Sequence, residues 1–254
     1  MTSSLSRGLR ILALLNQHES CTVADFSSVL RIPRATTNRI LISLVREGYI
    51  LRHPSDHRFR LTLKAKSLSD GMSDEQYVAS LARPFLAIVT ERLRWPVSFG
   101  ALSRTNLIIR ENTDSESPLA TDKFNIGYKM PINTTATGLC ILAHLSRASR
   151  KELLDALNAD GAGWGLSGPE EAELAKELRA IRSRGFATYS RRTRRLDTTS
   201  IAVPIMDDEA RVRGAVTIRY AKKALPLAAA VSSFVPILKD ASEHITESLR
   251  ANAR

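Results

Sequence analysis

The sequence predicts a mixed α/β fold of the α+β class, with a small N-terminal domain and a larger C-terminal one. The length of 254 residues fits one small plus one medium domain, each with its own core. The first 66 residues combine helical apolar periodicity with period-two alternation, and after Pro96 short apolar strands alternate with helices. We therefore expect an N-terminal domain at 1–66, a linker helix at 67–95 and an α+β domain at 96–254.

Three helical patterns and a hairpin make up the N-terminal domain. The first helix repeats leucine at three- and four-residue spacings, which predicts a buried stripe at Leu5, Leu9, Leu12 and Leu15. The second helix has Thr22 as its N-cap. The third has Pro33 in its first turn, Gly48 at its end, and a predicted buried face of Ile40, Leu41, Leu44 and Val45. Residues 49–52 and 58–63 predict two strands around a turn, which completes the winged-helix plan.

A long helix and an α+β domain follow. The helix over residues 74–93 contains Pro84, where we expect a kink, and a linker of this kind often contributes a dimer contact. Short apolar runs predict strands at 97–102, 107–110, 200–205 and 214–220. Helices are expected at 135–145, 150–158 and 169–184. A last helix, from Leu227 to Leu249, should pack its apolar face on the sheet and kink at Pro236.

Composition excludes several classes of protein. With 43% hydrophobic and 25% charged residues, the chain is neither disordered nor fibrous in character. Cys21 and Cys140 lack the spacing of a zinc cluster or a disulfide framework, which favours a reducing compartment. The N-terminus has no uncharged apolar run of the kind that a signal peptide or membrane helix needs. We therefore expect a cytoplasmic protein with no membrane contact and no cofactor.

The charge balance favours a polyanionic partner. The formal net charge is +11, and residues 1–64 hold ten Lys or Arg against four Asp or Glu, a net of +6. Basic surfaces attract nucleic acid because neutralised phosphates release condensed counterions. We therefore predict that the N-terminal domain binds DNA.

Candidate DNA contacts lie on the third helix and the hairpin. The second helix of a helix-turn-helix enters the major groove, where Arg reads guanine, Asn reads adenine, and Thr suits a phosphate or a thymine methyl. Here that surface offers Arg34, Thr36, Thr37, Asn38 and Arg39. Arg58 and Arg60 share a predicted strand face, which suits straddling a phosphate or probing the minor groove, and Arg58, nearest the hairpin tip, is the better candidate. Arg7 is a candidate for a contact with a backbone phosphate. The alternative for the residues of the third helix is a solvated polar face without DNA contacts, and the alternative for Arg7 is a solvated surface charge.

Four other patterns contain residues of types that occur in metal, phosphate or catalytic sites. A turn, which does not suit a metal, separates His53 and His57. The glycine-rich stretch 161–165 follows no strand and precedes no GK[ST], so a flexible connection is expected. The pattern at Cys140 and His144 favours a buried structural thiol and its neighbour over a nucleophile and its base. The run from Arg191 to Arg195 is a candidate contact for DNA, an acidic effector or a partner subunit. The alternative is a solvated loop, which is the role the sequence favours.

Several segments resemble the IclR family of transcriptional regulators. They read SRGL at 6–9, IPRATTNRIL at 32–41, EGY at 47–49, GYKMP at 127–131, TATG at 135–138, GFA at 185–187 and SIAVPI at 200–205. The resemblance spans nearly the whole chain and implies a winged helix-turn-helix, a GAF-like effector-binding domain, and dimers or tetramers on palindromic operators. Residues 52–56, 59–62 and 74–76 look closest to regulators of hydroxyphenylpropionate and related aromatic-acid catabolism.

The resemblance also implies an effector pocket. It places Ala136 and Thr137 at a helix start, Ser190 and Ser200 near the facing strand, and Thr217 and Arg219 on the next strand. The family often has small hydroxyl residues where this chain has Arg219. We hypothesise that Arg219, together with Arg110 from a neighbouring strand, anchors an acid through bidentate hydrogen bonds. The alternative is an Arg219 that points outward or pairs with an internal Asp or Glu.

A ligand-responsive regulator of a catabolic operon is the function that these features favour. Its expected partners are double-stranded operator DNA, a small organic acid, further copies of the chain in a homodimer or tetramer, and RNA polymerase. The sequence offers no convincing nucleophile with its base, acid pair or metal set, so we do not expect an enzyme. The alternatives are a DNA-binding protein whose second domain only oligomerises, and an enzyme with an accessory nucleic-acid-binding domain.

Overall fold

The computed structural model describes residues 3–68, 71, 73–159, 168–191 and 197–252. The chain forms two compact units, which meet in sequence between Ser73 and Asp74. The predicted glycine connection at 161–165 and positions 192–195 of the arginine run lie outside the described residues. Within the described part, no helix combines the length and apolarity that crossing a bilayer requires.

The described N-terminal unit contains four helices and a two-stranded antiparallel sheet. Its elements are α1 (Ser4–Gln17), α2 (Val23–Leu30), α3 (Arg34–Arg46), β1 (Ile50–Arg52), β2 (Phe59–Leu61) and α4 (Leu63–Ser67). Thr22 caps α2 in a reciprocal capping box with Asp25, and Gly48 follows α3 with a positive φ of 75°. The first three helices and the hairpin were predicted, whereas the five-residue α4 was not.

The core of the N-terminal unit corrects the predicted stripe on α1. Leu5 and Leu9 are 73% and 56% exposed, so half of that stripe faces outward. The side of α1 that faces the core instead carries Gly8, Ile11, Leu14 and Leu15. Helix α1 carries apolar residues on two faces. Only one of these faces can pack on the cluster around Phe26, Leu41 and Phe59.

The C-terminal unit is a six-stranded antiparallel sheet with helices on both faces. Its elements are α5 (Asp74–Leu93), β3 (Val97–Ser103), β4 (Asn106–Asn112), β5 (Lys129–Met130), α6 (Ala136–His144), α7 (Arg147–Ala159), α8 (Gly168–Arg184), β6 (Ala187–Arg191), β7 (Thr198–Met206), β8 (Val212–Ala221) and α9 (Leu227–Asn252). The strand order is β5-β4-β3-β8-β7-β6. The sequence predicted these five helices and the four central strands, but neither of the edge strands β5 and β6.

The two faces of the sheet carry separate cores. Helices α5 and α9 pack on one face, and α6 and α8 pack on the other. Strand β8 shows the alternation, because Val216 and Ile218 belong to the first core while Ala215 belongs to the second. Pro84 and Pro236 lie inside α5 and α9 without ending them, and the apolar face of α9 packs on the sheet as predicted.

Candidate functional site

The exposed face of α3 carries most of the predicted DNA contacts. Arg34, Asn38 and Arg39 are exposed, and Thr36 is half-buried. Arg34 and Asn38 are four residues apart and therefore lie on the same side of the helix. Their position in the first turns of the second helix of the pair suits the reading of base edges in the major groove.

Thr37 is a correction to the predicted DNA contacts. Its side chain is fully buried, and its hydroxyl donates to the carbonyl of Ile32 at 3.4 Å. Together with Ile40 and Leu41 it forms the buried face of α3, while Val45, predicted to be buried, is 39% exposed. A threonine that the core encloses has no surface to offer a base or a phosphate.

Arg58 is a second correction. It precedes β2 rather than lying in it. Its Nε donates to Ser20 Oγ at 2.8 Å, its Nη2 donates to the Ser20 carbonyl at 3.1 Å, and Asp25 lies 3.5 Å away. These contacts tie the hairpin to the start of α2. Arg58 is therefore engaged within the protein rather than free for the minor groove.

The hairpin turn is held by its own ion pair. Arg60 Nη2 lies 2.6 Å from Asp56 Oδ2, and this hydrogen bond lowers the pKa of Asp56 to about 2. In the described residues no group of three His, Cys, Asp or Glu could hold a metal, and His53 and His57 lie around this turn. Arg7 is half-buried on α1, so its predicted phosphate contact stays a prediction.

A cavity of about 310 Å³ lies between the sheet and the start of α6 in the C-terminal unit. Five residues assigned to the pocket from the sequence line it, namely Ala136, Thr137, Ser200, Thr217 and Arg219. Its apolar wall comes from Ile109, Phe124, Tyr128, Met130 and Tyr189. The volume and the mixture of apolar and polar walls are typical of a small-molecule site.

Ser190 and Arg110 were predicted to line the pocket, and both predictions are wrong. On β6, Tyr189 and Arg191 face the cavity, so Ser190 faces the other way and its hydroxyl pairs with Thr199 Oγ1 at 3.1 Å. On β4, Ile109 faces the cavity, whereas Arg110 lies 3.7 Å from Glu75 of α5. Neighbouring side chains of a strand point to opposite faces of the sheet, so a shift of one residue moves a side chain from the cavity to the other face.

The start of α6 supplies hydrogen-bond donors to the cavity. Thr135 caps the helix by accepting from the backbone of Gly138, which leaves the N–H groups of Ala136 and Thr137 without intrahelical partners. The hydroxyls of Thr137 and Thr217 meet at 2.9 Å, both buried. One hydroxyl hydrogen is used in that bond, and within the described residues no acceptor takes the other. The cavity therefore presents a cluster of donors at a helix N-terminus.

Gly138 brings α6 close to the preceding chain. A Cβ at this position would lie 1.9 Å from the carbonyl oxygen of Ile132, far inside any real contact. Only glycine therefore allows the N-terminus of α6 to take its place beside the cavity.

Arg219 pairs with an internal acid, which is the alternative that the sequence left open. Its Nη2 donates to Asp114 Oδ1 at 2.9 Å and to the Asp122 carbonyl at 2.7 Å, and the guanidinium lies 4.6 Å from the centre of the Phe124 ring. Both charged side chains are mostly buried, at 14% exposed for Arg219 and 4% for Asp114. The guanidinium still lines the cavity, but its charge is compensated.

Several cavity residues were not identified from the sequence. Thr198 shares a face with Ser200, two residues along β7, and Tyr189 on β6 pairs with Ser200, so the period of two and the strand pairing could have found both once β6 was assigned. Asp114, which does not line the cavity but pairs with the cavity residue Arg219, gave no such signal, because it is 105 residues from Arg219 and lies in the loop after β4.

The thiol of Cys140 is structural, as predicted. Burial raises the pKa of Cys140, and the ring of His144 bonds to the backbone carbonyl of Cys140, at 2.8 Å, rather than to its sulfur. Burial also lowers the pKa of His144. This arrangement lacks an activated nucleophile.

Comparison with known proteins gives the family. Residues 4–54 match the IclR helix-turn-helix domain, and residues 72–247 match the bacterial transcriptional regulator IclR C-terminal domain. The chain is similar to the Pca regulon regulatory protein of Pseudomonas putida, 25% identical over 97% of this chain and 84% of that protein. It is also 22% identical to the HTH-type transcriptional regulator TsaQ1/TsaQ2 of Comamonas testosteroni, over 99% and 90% of the two chains.

Solved structures agree with this assignment and with the predicted fold class. The IclR of Thermotoga maritima superposes with a TM-score of 0.57 at 19% identity, covering 97% of this chain and 98% of that one. An IclR homolog from Microbacterium hydrocarbonoxydans, crystallised as a complex with 4-hydroxybenzoate, gives a TM-score of 0.56 at 25% identity, with 98% and 100% covered. The chain belongs to the IclR family of DNA-binding bacterial transcriptional regulators.

Proposed function

We propose that the C-terminal unit binds a small aromatic acid and that this binding changes the affinity of the N-terminal unit for operator DNA in a catabolic operon. The observation that carries the proposal is the donor cluster at the start of α6, where the N–H groups of Ala136 and Thr137, which have no intrahelical partner, lie beside the Thr137–Thr217 hydroxyl pair. Helix N-termini stabilise anions because unpaired N–H groups and the helix dipole point at them. A carboxylate fits this end of the cavity.

The rest of the cavity suits an aromatic ring. Phe124, Tyr128 and Tyr189 line it together with Ile109 and Met130. Aromatic side chains favour offset or edge-on contacts with a further ring. The complex of the Microbacterium homolog with 4-hydroxybenzoate, a single-ring acid, supports this class of effector.

Operator recognition is assigned to α3, and the assembly to an exposed apolar surface. Arg34 and Asn38 are proposed to read base edges, with Thr36 and Arg39 beside them. Leu5, Leu9 and Leu68 are exposed and line one shallow surface of the N-terminal unit, which supports a homodimer or tetramer. Contact with RNA polymerase stays a prediction from the resemblance.

The effector proposal is tested by thermal unfolding in the presence of benzoates, phenylpropionates and short aliphatic acids. A ligand that binds only the folded state raises the melting temperature, by about 2.7 kcal/mol of stabilisation at a hundredfold excess over Kd. We expect aromatic acids to do so in the wild type and in Thr246→Val, whose hydroxyl bonds to the Met206 carbonyl outside the cavity. Thr217→Val should reduce the shift. If no acid shifts the wild type, the proposal is wrong and the alternative of a C-terminal unit that only oligomerises is favoured.

The operator proposal needs a duplex, which selection from a randomised pool supplies. Asn38→Ala should weaken binding to the selected duplex by about 1–3 kcal/mol and relax its sequence at one position. Arg46→Ala, at the far end of the same helix, is the matched control and should leave the selected sequence unchanged. An unchanged sequence preference in both Arg34→Ala and Asn38→Ala would exclude α3 as the reading helix.

A further inference from the structure

The segment from Asn112, the last residue of β4, to Ser117 bonds on one side to residues that line the cavity and on the other side to α5. We call it the 112–117 segment. On the cavity side, Asp114 is buried, its Oδ1 accepts from Arg219 and its Oδ2 accepts from the backbone N–H of Phe124 at 2.8 Å. Arg219 and Phe124 both line the cavity. Asp114 therefore holds two walls of the cavity in place.

On the other side, the same segment is bonded to α5 and its C-terminal end. Thr113 Oγ1 lies 2.6 Å from Thr90 Oγ1 in a fully buried pair. Arg83 donates to the Asn112 carbonyl at 3.2 Å and forms an ion pair with Glu116, which raises the pKa of the guanidinium. Ser117 Oγ donates to the Arg94 carbonyl at 2.7 Å, one residue past the end of α5. The 112–117 segment therefore bonds to α5 at two separated residues, Arg83 and Thr90, and to Arg94 just after the helix.

The two sets of contacts are covalently adjacent. Thr113 bonds to Thr90 of α5 and Asp114 bonds to the cavity residue Arg219, and the backbone N–H of Asp114 donates to Asn112 Oδ1 at 3.0 Å. Thr113 is also fixed to β3, because its hydroxyl accepts from the backbone N–H of Val97 at 2.9 Å. Close-packed interiors transmit displacement, so a shift of Asp114 with Arg219 must alter the contacts of Thr113.

We propose that the 112–117 segment couples occupancy of the cavity to the position of α5, with Asp114, Thr113 and Arg83 as the positioning residues. Helix α5 begins at Asp74, directly after the last residue of the N-terminal unit, so it is the covalent route from the cavity to the DNA-binding domain. The inference rests on the proposed effector site, since an empty cavity would have nothing to transmit. The proposal requires a coupling free energy between acid binding and DNA binding, and this coupling must be reciprocal.

Two ion pairs elsewhere on α5 are poorer candidates for the coupling. Arg213 contacts Asp74 at 3.1 Å, but Asp74 is 84% exposed, so solvent screens that pair. Arg110 lies 3.7 Å from Glu75 and faces away from the cavity. Only the 112–117 segment, among the contacts described for α5, also bonds to residues that line the cavity.

The test is hydrogen–deuterium exchange of the full-length protein, with 4-hydroxybenzoate and 3-phenylpropionate as probes and their affinities measured by calorimetry. In the wild type, a saturating acid should slow exchange about fivefold in both the 112–117 segment and α5. In Arg83→Met and in Thr113→Val the acid should bind within about twofold of the wild-type Kd. Exchange should slow around the cavity in these variants, while α5 no longer responds. Arg92→Met, an exposed arginine of the same helix, is the control and should behave as the wild type.

The outcomes separate the inference from the function on which it rests. A full response of α5 in both variants would overturn the inference, as would acid binding to the wild type with no response of α5. If neither acid binds the wild type, the proposed effector site fails and the inference fails with it. Two variants at different positions protect the test against a local folding defect in one of them.

Discussion

Removing the guanidinium of Arg219 should destabilise the C-terminal unit by leaving Asp114 without its charge partner. Arg219→Met keeps most of the apolar stem but takes away both hydrogen bonds, to Asp114 and to the Asp122 carbonyl. Asp114, 4% exposed in its side chain, would retain only the N–H of Phe124. A buried carboxylate with one donor is poorly compensated.

The expected magnitude follows from the burial of the pair. Breaking a buried ion pair by removing one partner costs about 3–5 kcal/mol, and neither side chain here is exposed enough to require a large discount for solvent screening. The remaining Phe124 N–H places the estimate near the lower end, at about 3 kcal/mol. Changing both partners, in Arg219→Met with Asp114→Asn, removes the uncompensated charge and should cost only about 1–2 kcal/mol. The double variant should therefore be more stable than the single one.

Urea unfolding followed by tryptophan fluorescence measures this, because both tryptophans of the chain belong to the C-terminal unit and Trp95 packs against Tyr220. Arg211→Met is the control: Arg211 is 59% exposed, and Asp207 keeps Arg213 as an ion-pair partner, so a much smaller change is expected than for Arg219→Met. Equal stability of Arg219→Met and the wild type would refute the assignment of Arg219–Asp114 as a buried pair. So would strict additivity of the two single changes.

Three further predictions concern other parts of the chain. Gly138→Ala should cost about 3 kcal/mol by overpacking against Ile132 and weaken acid binding, whereas Gly8→Ala, with ordinary space around it on α1, should stabilise its helix by up to about 1 kcal/mol; thermal unfolding compares them. Burial lowers the pKa of His144 below its usual 6.5, so the unfolded chain takes up this proton first and stability should fall as pH drops below 6.5. His144→Gln should flatten that fall in urea midpoints between about pH 7.5 and 5.5. Arg58→Met should lower the melting temperature of the N-terminal unit, by about 1–2 kcal/mol in stability, through loss of its bonds to Ser20.

Local signals predicted most of the fold. The capping box at Thr22, the helical repeats and the alternation in the hairpin each depend on residues a few positions apart, and the structure has all three. The strands that escaped prediction are those at the edges of the sheet. The two residues of β5 are too few for a periodic pattern, and β6 mixes exposed and half-buried positions because one edge has no neighbouring strand.

The candidate site was harder to predict, because single-residue shifts and distant partners decide it. Ser200 on β7 and Thr217 and Arg219 on β8 were found, whereas Thr198 on β7 was missed and Ser190 on β6 lies one position from residues that face the cavity. On α3, the polar residues looked equivalent in the sequence, but Thr37 fills a place in the core. Polarity alone does not reveal which of several neighbouring threonines the core will take.

The arginines show the same limit most clearly. Arg58, Arg110 and Arg219 were each expected to meet a phosphate or an effector carboxylate, and each instead has a carboxylate of the protein itself nearby. Those carboxylates are remote in sequence, so charge counting could not pair them. Because internal pairs use up part of the positive charge, the attraction for DNA depends on exposed residues such as Arg34 and Arg39 more than on the net charge of +11. The salt dependence of operator binding should accordingly reflect phosphate contacts made by the exposed arginines of the N-terminal unit, and substitution of Arg58 should leave that dependence unchanged.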